Sequence, residues 1–128
     1  MPESYLESAL RHFEDAELLA NGGRVDGAGH LIGFAVECAI KYAVVSTRPS
    51  AGAPHVHLPK LIEQAKKALQ GRKKHSILTL LSRRDFMSGW NVDNRYGSNG
   101  NIDKAQFQTW RGDASRTMGA AGLRRSAK

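Results

Sequence analysis

The chain has a single cysteine, few aromatic residues and no uninterrupted apolar run long enough to cross a membrane. Cys38 is the only cysteine among the 128 residues, and aromatic residues make up 7% of them. One cysteine excludes an internal disulfide and is typical of a reducing compartment. We interpret Cys38 as a small buried hydrophobe. The longest apolar candidate, Val25–Ser46, is interrupted by Glu37 and Lys41, which argues against a membrane span.

Other patterns are missing as well. The first residues, MPESYLESALRHFEDAE, are acidic and lack the basic-then-apolar order of a signal peptide, so we predict a cytoplasmic protein without a membrane partner. No glycine-rich phosphate loop, Ser/His/Asp arrangement or zinc-type cysteine pattern is present. We therefore expect no metal and no other cofactor. Strand-like alternation and internal repeats are also missing.

Apolar residues recur every three or four positions instead, which predicts helices. Ser4 and Glu7 match a capping box at the start of the first helix. The predicted helices run from Ser4 to the stop at Asn21–Gly23, over Val25–Ser46, from Pro59 to a basic turn at Gly71–Lys74, over His75–Ser88, and from Asn101–Asp103 to about Gly119. Most connections are short, so the fold class is an all-α, up-and-down antiparallel bundle of four to five helices. We expect one domain over residues 1–120 and a flexible basic tail over residues 121–128.

Positive charge is concentrated in the middle of the chain. Residues 60–84 carry eight Lys/Arg and one Glu, whereas residues 1–59 carry four Lys/Arg and seven Asp/Glu. A basic patch of Lys73, Lys74, Arg83 and Arg84 favours phosphate-bearing partners. A solvated basic helix face is the alternative.

Glu37 and Lys41 lie one turn apart in the most apolar helix, with small residues around them. A carboxylate and an ammonium on one face could bind a phosphate or a sugar hydroxyl. A pair at this spacing also simply stabilises a helix.

A second candidate site is the loop containing Trp90, Asp93, Asn94, Arg95 and Tyr96. An arginine fork suits phosphate recognition, and the aromatic rings offer a surface on which a base can stack. Asp93 could orient Arg95 or accept a proton. Alternatively, the aromatic residues cap the core, and Asp93 and Arg95 pair to hold the loop.

His55 and His57 could contribute two metal ligands, but no third ligand is evident nearby. Surface loop histidines are the alternative.

Four segments occur in order over roughly residues 5–110: EDAELLANGGRVDGA, GFAVECAIKYAVV, HVHLPKLIEQA and WNVDNRY. In order and spacing they resemble the small prokaryotic HEPN (higher eukaryote and prokaryote nucleotide-binding) proteins. The resemblance places Glu37 and Lys41 at family positions and puts His57 where the family has a histidine before the third helix. It implies a helical bundle that often dimerises. Family members include nucleotide-binding modules, partners of nucleotidyltransferases, and metal-independent ribonucleases of toxin–antitoxin and defence systems.

The ribonuclease members resemble one another in an arginine followed four to six residues later by a histidine. Arg95 lies in a comparable place and, with Asp93, is the best catalytic candidate, but no histidine follows His75. Two other pairs come close to this spacing, in the wrong places: Arg24 with His30, six positions later, and Arg48 with His55, seven positions later.

Three functions therefore stay open. The first is a nucleotide- or RNA-binding module that uses Trp90, Arg95, Tyr96 and the Glu37/Lys41 face. The second is a metal-independent endoribonuclease in which Arg95 stabilises the phosphate and another histidine moves the proton. The third is a non-catalytic subunit that pairs with a nucleotidyltransferase. We expect a homodimer in each case.

Overall fold

In a computed structural model, the chain is an all-α bundle, which confirms the predicted fold class. The structure describes residues 4–47, 49, 52–70, 76–92, 100 and 102–123. Within these residues five helices pack against each other. They are α1 (Tyr5–Asn21), α2 (Val25–Thr47), α3 (Lys60–Leu69), α4 (Ser76–Leu81) and α5 (Lys104–Ala120).

The first two helices begin and end close to where the sequence predicts. Ser4 is the N-cap of α1, and its hydroxyl accepts a hydrogen bond from the Glu7 backbone N–H at 3.2 Å. A short turn follows α1, in which Gly23 has a φ of +84°, a conformation that glycine adopts without strain. The turn brings α2 back along α1, and these two helices form the largest helix–helix contact of the bundle.

Helix α2 is the central helix of the fold. It contacts α1, α3 and α5, and eleven of its residues are buried. On length and composition alone it could cross a membrane, but 61% of the apolar window is buried within the bundle. Burial against three helices explains why its apolar face is broader than that of a surface helix. Cys38 is half-buried, so the interpretation as a small buried hydrophobe is only partly correct.

Helix α4 is much shorter than predicted. It ends at Leu81, and residues 82–89 form turns instead of continuing the helix to Ser88. Met87 has a φ of +50° and Gly89 a φ of +86°, and neither fits a right-handed helix. The Met87 N–H donates to the side chain of Asp113 in α5 at 2.9 Å. This hydrogen bond satisfies a backbone donor that a longer α4 would have paired within itself.

The last helix starts as predicted and packs further than predicted. Asp103 is its N-cap and accepts from the Gln106 N–H at 2.8 Å. Leu123 is buried, and its N–H donates to the Met118 carbonyl at 2.8 Å, so the packed chain extends past Ala120. Residues 124–128, most of the predicted tail, lie outside the described residues.

Candidate functional site

A groove of about 760 Å³ lies between α3 and the segment that follows α4. One wall comes from Leu58 and Pro59, just before α3, and from residues of α3, including Lys60, Ile62 and Lys66. The other wall comes from residues 81–84 and 86–91. Its volume is in the range of small-molecule sites.

The groove is lined by more positive than negative charge. Among the described residues, Lys60, Lys66, Arg83 and Arg84 line it, together with one carboxylate, that of Glu63. Lys66 lies 3.9 Å from Glu63 in an exposed pair, which contributes little to stability. Lys60 and Arg84 are exposed, and neither forms an ion pair with another described residue. Their charges are therefore available to an anionic ligand in the groove.

Arg83 is held by two carboxylates. Its Nη2 lies 3.1 Å from Asp85 Oδ1 and 3.0 Å from Asp113 Oδ1, and its Nε donates to Asp85 at 3.1 Å. The hydrogen bond from Arg83 lowers the pKa of Asp85, and the same pairing raises the pKa of Arg83. Both groups therefore stay charged over the ordinary pH range.

Trp90 ends this segment as a buried anchor. Its side chain packs into a notch in α2 at Gly33, where a larger residue would fill the space of the ring. Its Nε1–H donates to the Gly29 carbonyl at 2.9 Å. Trp90 is 3% exposed, so the ring offers almost no face on which a base could stack. Trp110 Nε1–H donates in the same way to the Ser88 carbonyl at 2.9 Å. The two indoles fix the groove wall to α2 and α5.

Glu37 does not pair with Lys41 as the helical spacing predicts. Its buried carboxylate lies 2.9 Å from Nδ1 of His57 and accepts the Leu58 N–H, also at 2.9 Å. Among the described residues Lys41 has no ion pair with Glu37 and is half-buried. Glu37 thus joins α2 to the chain just before α3. His57 keeps 53% of its side chain exposed while one ring nitrogen faces the carboxylate.

Aromatic and imidazole rings surround Phe34 beside this pair. Ring centroids lie 4.7 Å from His30, 5.8 Å from Trp90, 5.9 Å from His12 and 6.3 Å from His57. Trp90 lines the groove as well, so it lies between the groove and this ring cluster. Burial lowers the pKa of His12, with a smaller effect of the Arg11 charge, so its neutral form is favoured.

The structure brings together only part of the predicted site. Glu37 and His57 are in contact, and Arg83, Arg84 and Trp90 line one groove. The predicted residues Lys73, Lys74, Asp93, Arg95 and Tyr96 lie outside the described residues, so their predicted roles stay predictions.

Asp113 was not predicted as a functional residue, although a signal was available. It is 2% exposed and holds both Arg83 and the Met87 backbone. Helical spacing places Asp113 on the same face as Trp110 and Thr117, both of which are buried. Burial of a carboxylate on an apolar helix face costs free energy unless the carboxylate is paired. The position of Asp113 therefore indicates that it has a partner on another part of the chain.

In the described parts of the chain, no group of three or more His, Cys, Asp or Glu residues is arranged to hold a metal ion. Comparison with protein-family models found no matching family. Comparisons with curated proteins and with solved structures found no significant match either. The groove and the Glu37–His57 pair are therefore the candidate functional features of the described residues.

Proposed function

We propose that this chain is a HEPN-like binding module that takes up the phosphates of a nucleotide or RNA in the groove between α3 and residues 81–91. The observation that carries the proposal is the charge of the groove. Among the described residues that line it, four are cationic and one, Glu63, is a carboxylate, and Lys60 and Arg84 are the cations without an ion pair. A concave surface lined by one sign of charge concentrates its field and attracts ligands of the opposite sign.

The shape and composition of the groove fit the same class of ligand. Its cationic side chains are interspersed with apolar ones, including Leu58, Ile62 and Phe86. A nucleotide combines an anionic phosphate with a flat base whose faces are weakly polar, so the cationic and the apolar side chains each have a partner. Because Trp90 is buried, the phosphate contacts carry more of this proposal than base stacking does.

The test is RNA binding at several salt concentrations. Fluorescence anisotropy with a labelled single-stranded RNA is measured for the wild type, Lys60→Ala and Arg84→Ala. Each substitution removes one phosphate contact, so binding weakens and the slope of log K against log salt falls by about 0.7. ATP as a competitor shows whether a free nucleotide occupies the same site.

Lys104→Ala is the matched control, because Lys104 is exposed at the start of α5 and does not line the groove. Lys104→Ala removes the same charge from the protein as Lys60→Ala or Arg84→Ala, but it should leave the slope of log K against log salt unchanged. Equal effects of Lys104→Ala and Arg84→Ala would mean that only the net charge matters. Lack of RNA and ATP binding by the wild type would refute the proposal.

A specific observation favours one alternative, a metal-independent ribonuclease. The described chain contains a histidine whose Nδ1 faces a buried carboxylate, the arrangement that prepares an imidazole as a general base. His57 Nε2 could then accept the proton of a ribose 2′-hydroxyl as that oxygen attacks the neighbouring phosphorus. The bond from phosphorus to the 5′-oxygen breaks, and this leaving oxygen takes up a proton from water, so the products are a 2′,3′-cyclic phosphate and a 5′-hydroxyl. This reaction needs no metal ion.

The ribonuclease is tested with purified protein and RNA in the presence of a chelator. Cleavage should be lost in His57→Gln and kept in His55→Gln, a histidine two residues away on the same exposed segment. Cleavage that is equal in wild type and His57→Gln would remove His57 from the mechanism. Intact RNA with the wild type would refute the ribonuclease and leave a binding module without catalytic activity as the proposed function.

The homodimer and the nucleotidyltransferase partner remain proposals based on the resemblance. Sedimentation of the purified chain tests the first. Co-purification with a nucleotidyltransferase encoded beside it tests the second.

A further inference from the structure

Asp113 is a buried carboxylate whose partners lie on the groove wall. It projects from the middle of α5 and is 2% exposed. Its Oδ1 lies 3.0 Å from Arg83 Nη2, and its Oδ2 accepts the Met87 N–H at 2.9 Å. Arg116 is a more distant neighbour at 3.9 Å. One side chain of α5 thus holds both a cation and the backbone of residues 82–90.

The two carboxylates bind only part of the Arg83 guanidinium. Nε and Nη2 face Asp85 and Asp113, whereas Nη1 has no hydrogen-bond partner among the described residues. A guanidinium is planar and carries five N–H donors in a rigid fork. Contacts along Nε and Nη2 therefore fix the plane of the group and leave the Nη1 donors for another acceptor.

The backbone that carries Arg83 into the groove is held in the same way. Met87 has a φ of +50°, an uncommon conformation for a residue with a side chain. Such a conformation persists where surrounding contacts determine it, and here Asp113 supplies one of them. The Trp110 N–H on the Ser88 carbonyl supplies another.

We propose that Asp113 is a positioning residue for ligand binding: it orients Arg83 so that the Nη1 donors meet a phosphate oxygen in the groove. The proposal rests on the proposed function, since it assumes a phosphate in that groove. It explains why a carboxylate is kept at a buried position of α5, where an apolar side chain would avoid the cost of desolvation.

A double-mutant cycle tests this role, with a labelled single-stranded RNA as the probe. Asp113→Asn keeps the size of the side chain and an oxygen for the Met87 N–H but removes the charge that holds Arg83. We expect RNA binding to weaken about tenfold in Asp113→Asn and in Arg83→Ala, the loss of one charge-assisted hydrogen bond. Because both changes remove the same contact, Asp113→Asn should have no further effect in the Arg83→Ala background.

Arg84→Ala provides the matched background, since Arg84 lines the same groove without contacting Asp113. There the effect of Asp113→Asn should persist in full. Additive losses in the Arg83→Ala background would overturn the proposal, because Asp113 would then act only through the general stability of the fold.

Arg83→Lys gives an independent readout that does not disturb the buried position. The lysine ammonium has one nitrogen, so it cannot contact both carboxylates and also offer separate N–H donors to a phosphate, as Nη1 of arginine does. RNA binding should therefore weaken as in Arg83→Ala. Wild-type affinity in Arg83→Lys would also overturn the proposal. Wild-type RNA affinity in Lys60→Ala and Arg84→Ala as well would refute the proposed function itself. Weaker RNA binding in those two variants, together with wild-type affinity in Arg83→Lys, would refute only the role of Asp113.

Discussion

The indole of Trp90 occupies the space that a side chain at position 33 would need. A Cβ atom on Gly33 would lie 1.9 Å from Trp90 Cε2 and 2.1 Å from Nε1. The same Nε1–H donates to the carbonyl of Gly29, one turn earlier in α2. The end of the groove segment is therefore anchored to the central helix, and the absence of a side chain at Gly33 permits it.

We predict that Gly33→Ala destabilises the fold by about 3 kcal/mol, because a rigid ring at this distance cannot move aside without breaking its hydrogen bond. Urea unfolding measures the loss. Tryptophan fluorescence should shift to longer wavelength as Trp90 becomes more exposed to water.

Gly119→Ala is the control, since no atom lies within 4 Å of a Cβ there. That exposed helical position should gain about 0.5–1 kcal/mol from the same substitution. A stable Gly33→Ala protein would mean that Trp90 is not seated in the notch.

The Glu37 carboxylate leads to a second stability prediction. Glu37→Gln keeps an oxygen for the Leu58 N–H and loses the charge beside His57, so we expect a loss of about 1 kcal/mol. Glu37→Ala removes both contacts, and we expect a loss of about 2–3 kcal/mol, including the cost of an unsatisfied buried N–H. Urea unfolding at neutral pH measures both. Glu63→Gln, in an exposed pair with Lys66, should change stability by less than about 0.5 kcal/mol. Equal losses of unfolding free energy in the two Glu37 variants would show that the hydrogen bond from the Leu58 N–H does not contribute to stability.

The sequence predicts the helices that are determined by local signals. Ser4 and Asp103 have side chains that cap the following turn, and both helices start where these residues predict. Periodicity alone identifies α2 as the central helix. It fails after Leu81, where apolar residues continue at helical spacing although the chain turns. The hydrogen bond that decides the outcome joins the Met87 N–H to Asp113, 26 positions away. The buried helix face of Asp113 indicates that it has a partner, but no local pattern identifies Met87 as that partner.

The candidate site is predictable to a similar extent. Arg83 and Arg84 are evident from the concentration of positive charge, and both line the groove. The partner of Glu37 is not evident, because helical spacing offers Lys41 and the structure supplies His57 from 20 positions away. Such pairings depend on how the helices pack, and they become visible only when the fold is known.

Asp26 makes the stability of the fold depend on pH in the acid range. Its carboxylate, in the first turn of α2, accepts the backbone N–H groups of Gly100 and Ile102, and these two bonds lower its pKa. A carboxyl whose pKa is lower in the folded state stabilises the fold fully above the unfolded value, near 3.9. The contribution is lost as pH falls through the folded pKa. We predict that wild type exceeds Asp26→Ala in unfolding free energy at pH 6, and that the difference shrinks toward pH 3. A difference that does not change with pH would rule out the charged form as the acceptor.

His12 makes stability depend on pH in a higher range and reports on the Glu37–His57 pair. Burial is the largest cause of its lowered pKa, Arg11 adds to it, and the charges of Asp15 and Glu37 oppose it. As pH falls below about 6.5, the unfolded chain takes up this proton before the folded one, so stability decreases until the folded pKa is reached. We predict that the His12 ring protons titrate below pH 6.5 in an NMR titration. Removing the Glu37 charge in Glu37→Gln should lower the His12 pKa further, and removing the neighbouring cation in Arg11→Ala should raise it. A His12 pKa that rises in Glu37→Gln would show that the carboxylate does not act on this side of the ring cluster.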